Sequence, residues 1–172
     1  LEEVKISQRA HVIRQLKSRG RKYHIAAVLY AVCRSTGTAI TLNDVFVASQ
    51  SVLGLERRRD RESIARNYRL ILQEMDLKMP IDDPTKYVSR IASNAGLSEK
   101  TKHSALQILN KAKDTHTSAG GSPMVLAASA LYVACVWNRE SKTEKVVAED
   151  TGVAEVTIRK WYKVLVKMYK II

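Results

Sequence analysis

The chain has 172 residues, 45% of them apolar, which suits one domain or two small ones with a buried core. Only 3 prolines and 7 glycines occur, which argues against a disordered or an all-β chain. The formal net charge of +12 points to a polyanionic partner, most simply nucleic acid. No apolar run approaches the roughly 18 residues a membrane span needs, and the opening LEEVKISQR lacks the apolar centre of a signal peptide. Cys33 and Cys135 sit in apolar stretches and read as small core residues in a reducing compartment. With His11, His24, His103 and His116 they form no zinc spacing, so no metal ligand is assigned.

Taken in chain order, the elements come twice. LEEVKISQRAHVI (Leu1 to Ile13) returns as LSEKTKHSALQIL (Leu97 to Leu109). HIAAVLYAVCR (His24 to Arg34) returns as LAASALYVACVW (Leu126 to Trp137), so that Ala26, Leu29, Tyr30 and Cys33 meet Ala128, Leu131, Tyr132 and Cys135. At the same offset Thr41 meets Thr143 and Val45 meets Val147. IARNYRLILQEM (Ile64 to Met75) resembles IRKWYKVLVKMY (Ile158 to Tyr169), with Tyr68 opposite Tyr162. Similar blocks in one order mean two copies of one helical unit.

In the first copy, after the opening helix, apolar periodicity predicts helices over Tyr23–Ser35, near Thr41–Ser49 and over Arg61–Glu74. SQSVLGLERRRDRES, between the last two, reads as a loop too long for a compact turn. Its Arg57, Arg58, Arg59 and Arg61 are candidate contacts to a phosphate backbone, with no base reading expected there. Met75–Pro84 carries two of the three prolines and reads as a linker. The second copy is predicted to hold five helices, about 85–95, 98–114, 123–138, 142–149 and 155–169. Ser98 before Glu99, Pro123 after Ser122, and Gly96 after Asn94 supply the start and stop signals. Asp82-Asp83 beside Pro84 reads as a turn and cap rather than a catalytic pair. The expected division is 1–76, a linker at 77–83, and 84–172. The first copy shows only four helices, so the chain is expected to begin where that copy's second helix stands, leaving one apolar face less covered than its twin's.

The segment TEKVVAEDTGVAEVTIRKWYKVL (Thr143 to Leu165) has the spacing of a helix-turn-helix. Ala148 is the small residue of the first helix, Gly152 supplies a positive φ in the turn, and Val153, Thr157 and Ile158 follow. Ile158, Trp161, Tyr162 and Leu165 share the inward face. Val156, Arg159, Lys160 and Lys163 share the outward one. In such a unit the second helix enters the major groove. Arg159 could bond a guanine edge, Val156 could touch a thymine methyl, and Lys160 and Lys163 suit phosphates. The plainer reading is that two helices joined by a glycine occur in many bundles and that exposed lysines solvate a face.

GVAEVTIRKWYK, the paired helices carrying LYAVC and LYVAC, and the linker LKMPIDDPTKYVSRIA together resemble the core of the archaeal transcription factor B family, relatives of eukaryotic general transcription initiation factor IIB. The resemblance covers essentially the whole chain. It implies an all-α fold of two tandem cyclin-like repeats of five helices, the first lacking its first helix here. It also implies a monomer that binds a complex of TATA-box-binding protein and promoter double-stranded DNA, and recruits RNA polymerase. Within it, Val156 and Arg159 match the base readers of an element upstream of the TATA box, and Glu155, Thr157 and Lys160 match positions close to DNA. The zinc ribbon and reader segment of full-length members have no counterpart in this sequence, so zinc and other cofactors are not expected in it. The stretch is expected to bind promoter complexes without supporting initiation. It would reside in the cytoplasm at the nucleoid if archaeal, in the nucleus if eukaryotic. The competing reading is a cyclin-like protein–protein module. An enzyme is disfavoured: there is no Gly-rich phosphate loop, no nucleophile with a nearby base and no apolar carboxylate pair.

Overall fold

A computed structural model describes residues 20–115, 121–140 and 144–170. Among them are eight helices and no strand. The chain divides into two compact units, one ending at Ile81 and one beginning at Asp82, a division that falls inside the Met75–Pro84 segment. The opening helix of the first copy lies outside the described residues, as do positions 142–143 of the second copy's fourth helix.

The first unit contains α1 (Arg21–Ser35), α2 (Leu42–Leu53) and α3 (Arg58–Glu74). After α1, the Gly37 amide donates to Arg34 O and the Thr38 amide to Cys33 O, with Gly37 at φ 71°. That is a Schellman stop, which glycine fits because the left-handed region costs it nothing. A capping box starts α2: the Asp44 amide donates to Thr41 Oγ1 (3.1 Å) and the Thr41 amide to Asp44 Oδ2 (2.8 Å). Ala26, Ala27, Val45, Leu55, Ile64 and Ile71 form the core, with Tyr23, Tyr30, Phe46 and Tyr68 packed against it. On the other side of α1, Ile25, Val28, Leu29 and Val32 are each about half exposed.

The second unit contains α4 (Thr85–Asn94), α5 (Glu99–Asp114), α6 (Pro123–Trp137), α7 (Glu144–Thr151) and α8 (Glu155–Lys170). These five are the five expected from the sequence, to within a few residues. α6 touches all four others and is buried nearly all round, from Met124 to Cys135, as a composition apolar but for Ser129 and the Tyr132 hydroxyl requires. Ser98 caps α5 through the Thr101 amide, and Ser122 caps α6 through the Val125 amide, with Pro123 in the first turn. Asp83 Oδ1 accepts from the Thr85 amide (2.9 Å), the cap expected of it, and also takes the Lys113 ammonium at 2.8 Å. Burial pushes the Asp83 carboxyl up, but Lys113 and the Thr85 donors outweigh it and hold the group below its ordinary value.

The repeat seen in the sequence is also a repeat of contacts. Tyr30 stacks on Tyr68 at 4.7 Å between ring centroids with a 58° tilt. Tyr132 stacks on Tyr162 at 5.3 Å with a 55° tilt. Each pair joins the apolar helix of its unit to the last helix of its unit, so the aligned residues do the same job twice.

The α2–α3 connection corrects the sequence reading. Ser49–Ser63 is not a long loop: α2 continues to Leu53, Gly54 turns at φ 60°, and α3 begins at Arg58. The turn is anchored from inside. Leu55 is fully buried, and the Asp60 carboxylate accepts from the amides of Glu56 (3.1 Å) and Arg57 (3.0 Å). Satisfying two amides that the helix itself leaves unpaired lets α3 start one turn earlier than its apolar pattern suggests. Arg58, Arg59 and Arg61 therefore stand on a helix, and Arg57 immediately precedes it.

Candidate nucleic-acid interface

α7 and α8 make the expected tight turn. Gly152 has φ 65°, and its amide donates to Ala148 O at 2.9 Å. Thr151 ties the turn twice: its Oγ1 donates to Val147 O (2.7 Å) and accepts from the Val153 amide (3.3 Å). The inward side of α8 is set by Ile158 and Leu165, both fully buried, with Trp161 and Tyr162 half-buried beside them. Gly121 lies close under Trp161: a Cβ there would come within 2.8 Å of the indole and of Leu126. Any larger residue would force the Trp161 or Leu126 side chain to shift.

Fixing that side inward fixes the opposite side outward. Val156 is 76% exposed, and Glu155, Arg159, Lys160 and Lys163 are exposed with it, while Thr157 is half-buried. At 100° per residue Val156, Arg159, Lys160 and Lys163 fall within one quadrant or so of the helix. Such a row can chemically offer a methyl to a thymine methyl and cations to base edges and phosphates. Exposed Lys167 extends the same row by one turn and was not singled out from the sequence, although its spacing of four from Lys163 was the available signal.

In the first unit Arg57, Arg58 and Arg59 are exposed and Arg61 is half-buried. Lys22, Tyr23, Gly54, Glu56, Arg57 and Asp60 line an open polar cleft beneath the turn, of about 350 Å³. Lys22 Nζ donates across it to Gly54 O (3.3 Å). Among the described residues no cluster of three His, Cys, Asp or Glu could hold a metal ion, and no helix is long and apolar enough to cross a membrane.

Residues 77–168, more than half of the chain, match the transcription factor TFIIB repeat. The chain belongs to the TFIIB-repeat family. It is 41% identical over 155 residues to a transcription initiation factor IIB of Sulfurisphaera tokodaii, covering 89% of this chain and 48% of that protein. It is 39% identical over 155 residues to the factor IIB of Saccharolobus shibatae, again 89% and 48%, and 40% identical over 149 residues to that of Archaeoglobus fulgidus, 86% and 43%. The chain thus spans about half the length of these curated relatives, which are named as initiation factors and not as enzymes.

Proposed function

We propose that this chain is the core of a general transcription initiation factor. It binds promoter DNA held by a TATA-box-binding protein, and reads the element upstream of the TATA box with α8. The longer protein would recruit RNA polymerase. The observation that carries the reading is the outward row of Val156, Arg159, Lys160 and Lys163 on the helix after the Gly152 turn, in a chain of this family. In the major groove Arg159 bonds a guanine edge, Val156 meets a thymine methyl, and Lys160, Lys163 and the flanking Glu155 and Thr157 lie at the backbone. Arg57, Arg58, Arg59 and Arg61 contact phosphates without reading bases.

The test is a gel-shift titration on a TATA-containing duplex, with and without a TATA-box-binding protein, the upstream element intact in one probe and scrambled in another. The expected result is a ternary complex that needs the protein partner and weakens on the scrambled probe. Absence of any ternary complex at low salt would overturn the reading in favour of a cyclin-like protein–protein module.

A further inference from the structure

The segment expected to be a linker, 77–83, is tied down at both of its ends. At the first end the Leu77 amide donates to Leu72 O (2.9 Å), closing the stop of α3 in which Asp76 stands at φ 49°. Three residues on, a guanidinium nitrogen of Arg34 donates to Pro80 O at 3.1 Å, reaching across 46 positions from the last turn of α1. Pro80 lacks an amide, so its carbonyl is the backbone handle at that position. A charged donor makes such a bond stronger than one between neutral groups. Arg34 also departs from the repeat: the aligned residue of the second copy is Val136, which has nothing to donate.

The other end is held by the second unit's own residues. Tyr87 is 2% exposed, and its phenol donates to Asp82 Oδ2 at 2.6 Å. Asp83 takes the Lys113 ammonium on both carboxylate oxygens at 2.8 Å, and the Thr85 amide at 2.9 Å. Tyr87 stands on α4 and Lys113 on α5, so the two aspartates are bound to different helices. Between Pro80 and Asp82 stands Ile81, 96% exposed, which packing therefore does not hold. One residue contributes two soft dihedrals, whereas an open tether of 77–83 could stretch to roughly 25 Å.

We propose that 77–83 is a clasped strap and not a flexible tether, with Arg34 as one clasp, Tyr87 and Lys113 as the other, and Ile81 as the pivot between them. Its use is in bivalent binding: once one unit is seated, the effective concentration of the other falls as the tether grows beyond the span it must bridge. The strap stands on contacts within each unit, and its use rests on the DNA-binding reading above. The test is backbone amide relaxation, measured by NMR on the whole chain. Order parameters should stay near about 0.85 at Lys78, Met79, Asp82 and Asp83 and dip at Ile81 alone. Arg34→Ala should bring Lys78 and Met79 below about 0.6 and spare Asp82 and Asp83; Tyr87→Phe with Lys113→Met should do the reverse. Unshifted amides through the helices keep a folding defect from imitating the effect. Values below about 0.6 throughout 78–83 in the parent would overturn the strap. An ordered segment indifferent to the substitutions would overturn the clasps. With both clasps opened, dissociation from a TATA duplex carrying the TATA-box-binding protein should speed up by roughly 3- to 10-fold. Unchanged dissociation would overturn the use of the strap in binding. A parent that binds no DNA would overturn the DNA-binding reading, and the order parameters would still decide the strap.

Discussion

The Tyr23 phenol donates a 2.8 Å hydrogen bond to Oδ1 of Asp60, 37 positions further along the chain. One carboxylate thus joins α1 to the start of α3 and closes the turn between α2 and α3. The Arg57 amide, the phenol and the Glu56 amide hold Asp60 below its ordinary value, and Lys22 adds to them against the opposing effect of burial; the same contact raises the Tyr23 phenol. A carboxyl with a lowered native value adds stability above its unfolded value, near ~4, and that stability is lost as pH falls through the native value. Asp60→Asn should therefore unfold at lower denaturant than the parent at pH 7, and the gap should close as the pH falls from 5 towards 2. A gap independent of pH would show that the charge of Asp60 does no work.

Helix ends supply a prediction of opposite signs. Arg139 ends α6 at φ 56°, where its amide donates to Val136 O and that of Glu140 to Cys135 O. Gly96 ends α4 in the same way at φ 60°. A side chain costs about 1 kcal/mol or more in this region. Arg139→Gly should raise stability by up to ~1 kcal/mol, while Gly96→Ala should lower it by ~1 kcal/mol. Denaturant midpoints of the two variants, moving in the same direction, would contradict the assignment of strain.

Leu131 and Leu29 occupy matching positions, but Leu131 is fully buried and Leu29 is 48% exposed. Leu131→Ala should cost 2–5 kcal/mol, roughly the range for a closed core. Leu29→Ala should cost about 1 kcal/mol or less. Equal costs in urea titrations would mean that the α1 face is covered in solution.

At the interface, Arg159→Ala should weaken binding to the intact upstream element by ~1–3 kcal/mol and relax the preference over the scrambled one. Lys163→Ala should weaken both probes alike and lower the salt slope by about 1. An Arg159 variant that loses equally on both probes would make Arg159 a backbone contact.

What the sequence makes legible follows the range of the physics. Ser98, Ser122-Pro123, Gly96 and Gly152 act on neighbours within a turn, so the second unit's helices and the outward row on α8 can be read from local pattern. The α2–α3 hairpin cannot, because its start depends on Tyr23 in another helix and on Leu55 finding the core. Local signals were nonetheless present: Gly54 as a stop, Asp60 three residues after Arg57, and arginines that favour helix. The run of charge hid them by resembling a solvated loop. Asp76 and Arg139 end helices in a conformation associated with glycine, and nothing in their identity announces it.

The paired cysteines also give the second unit a clock and an internal reference. Cys135 is fully buried and Cys33 is half-buried, at matching places in the two copies. A thiol reagent should label Cys33 without unfolding the chain, and should reach Cys135 only as fast as the second unit opens. The labelling rate of Cys135, followed by mass spectrometry with Cys33 as the accessible reference, would time the opening of the second unit within one molecule.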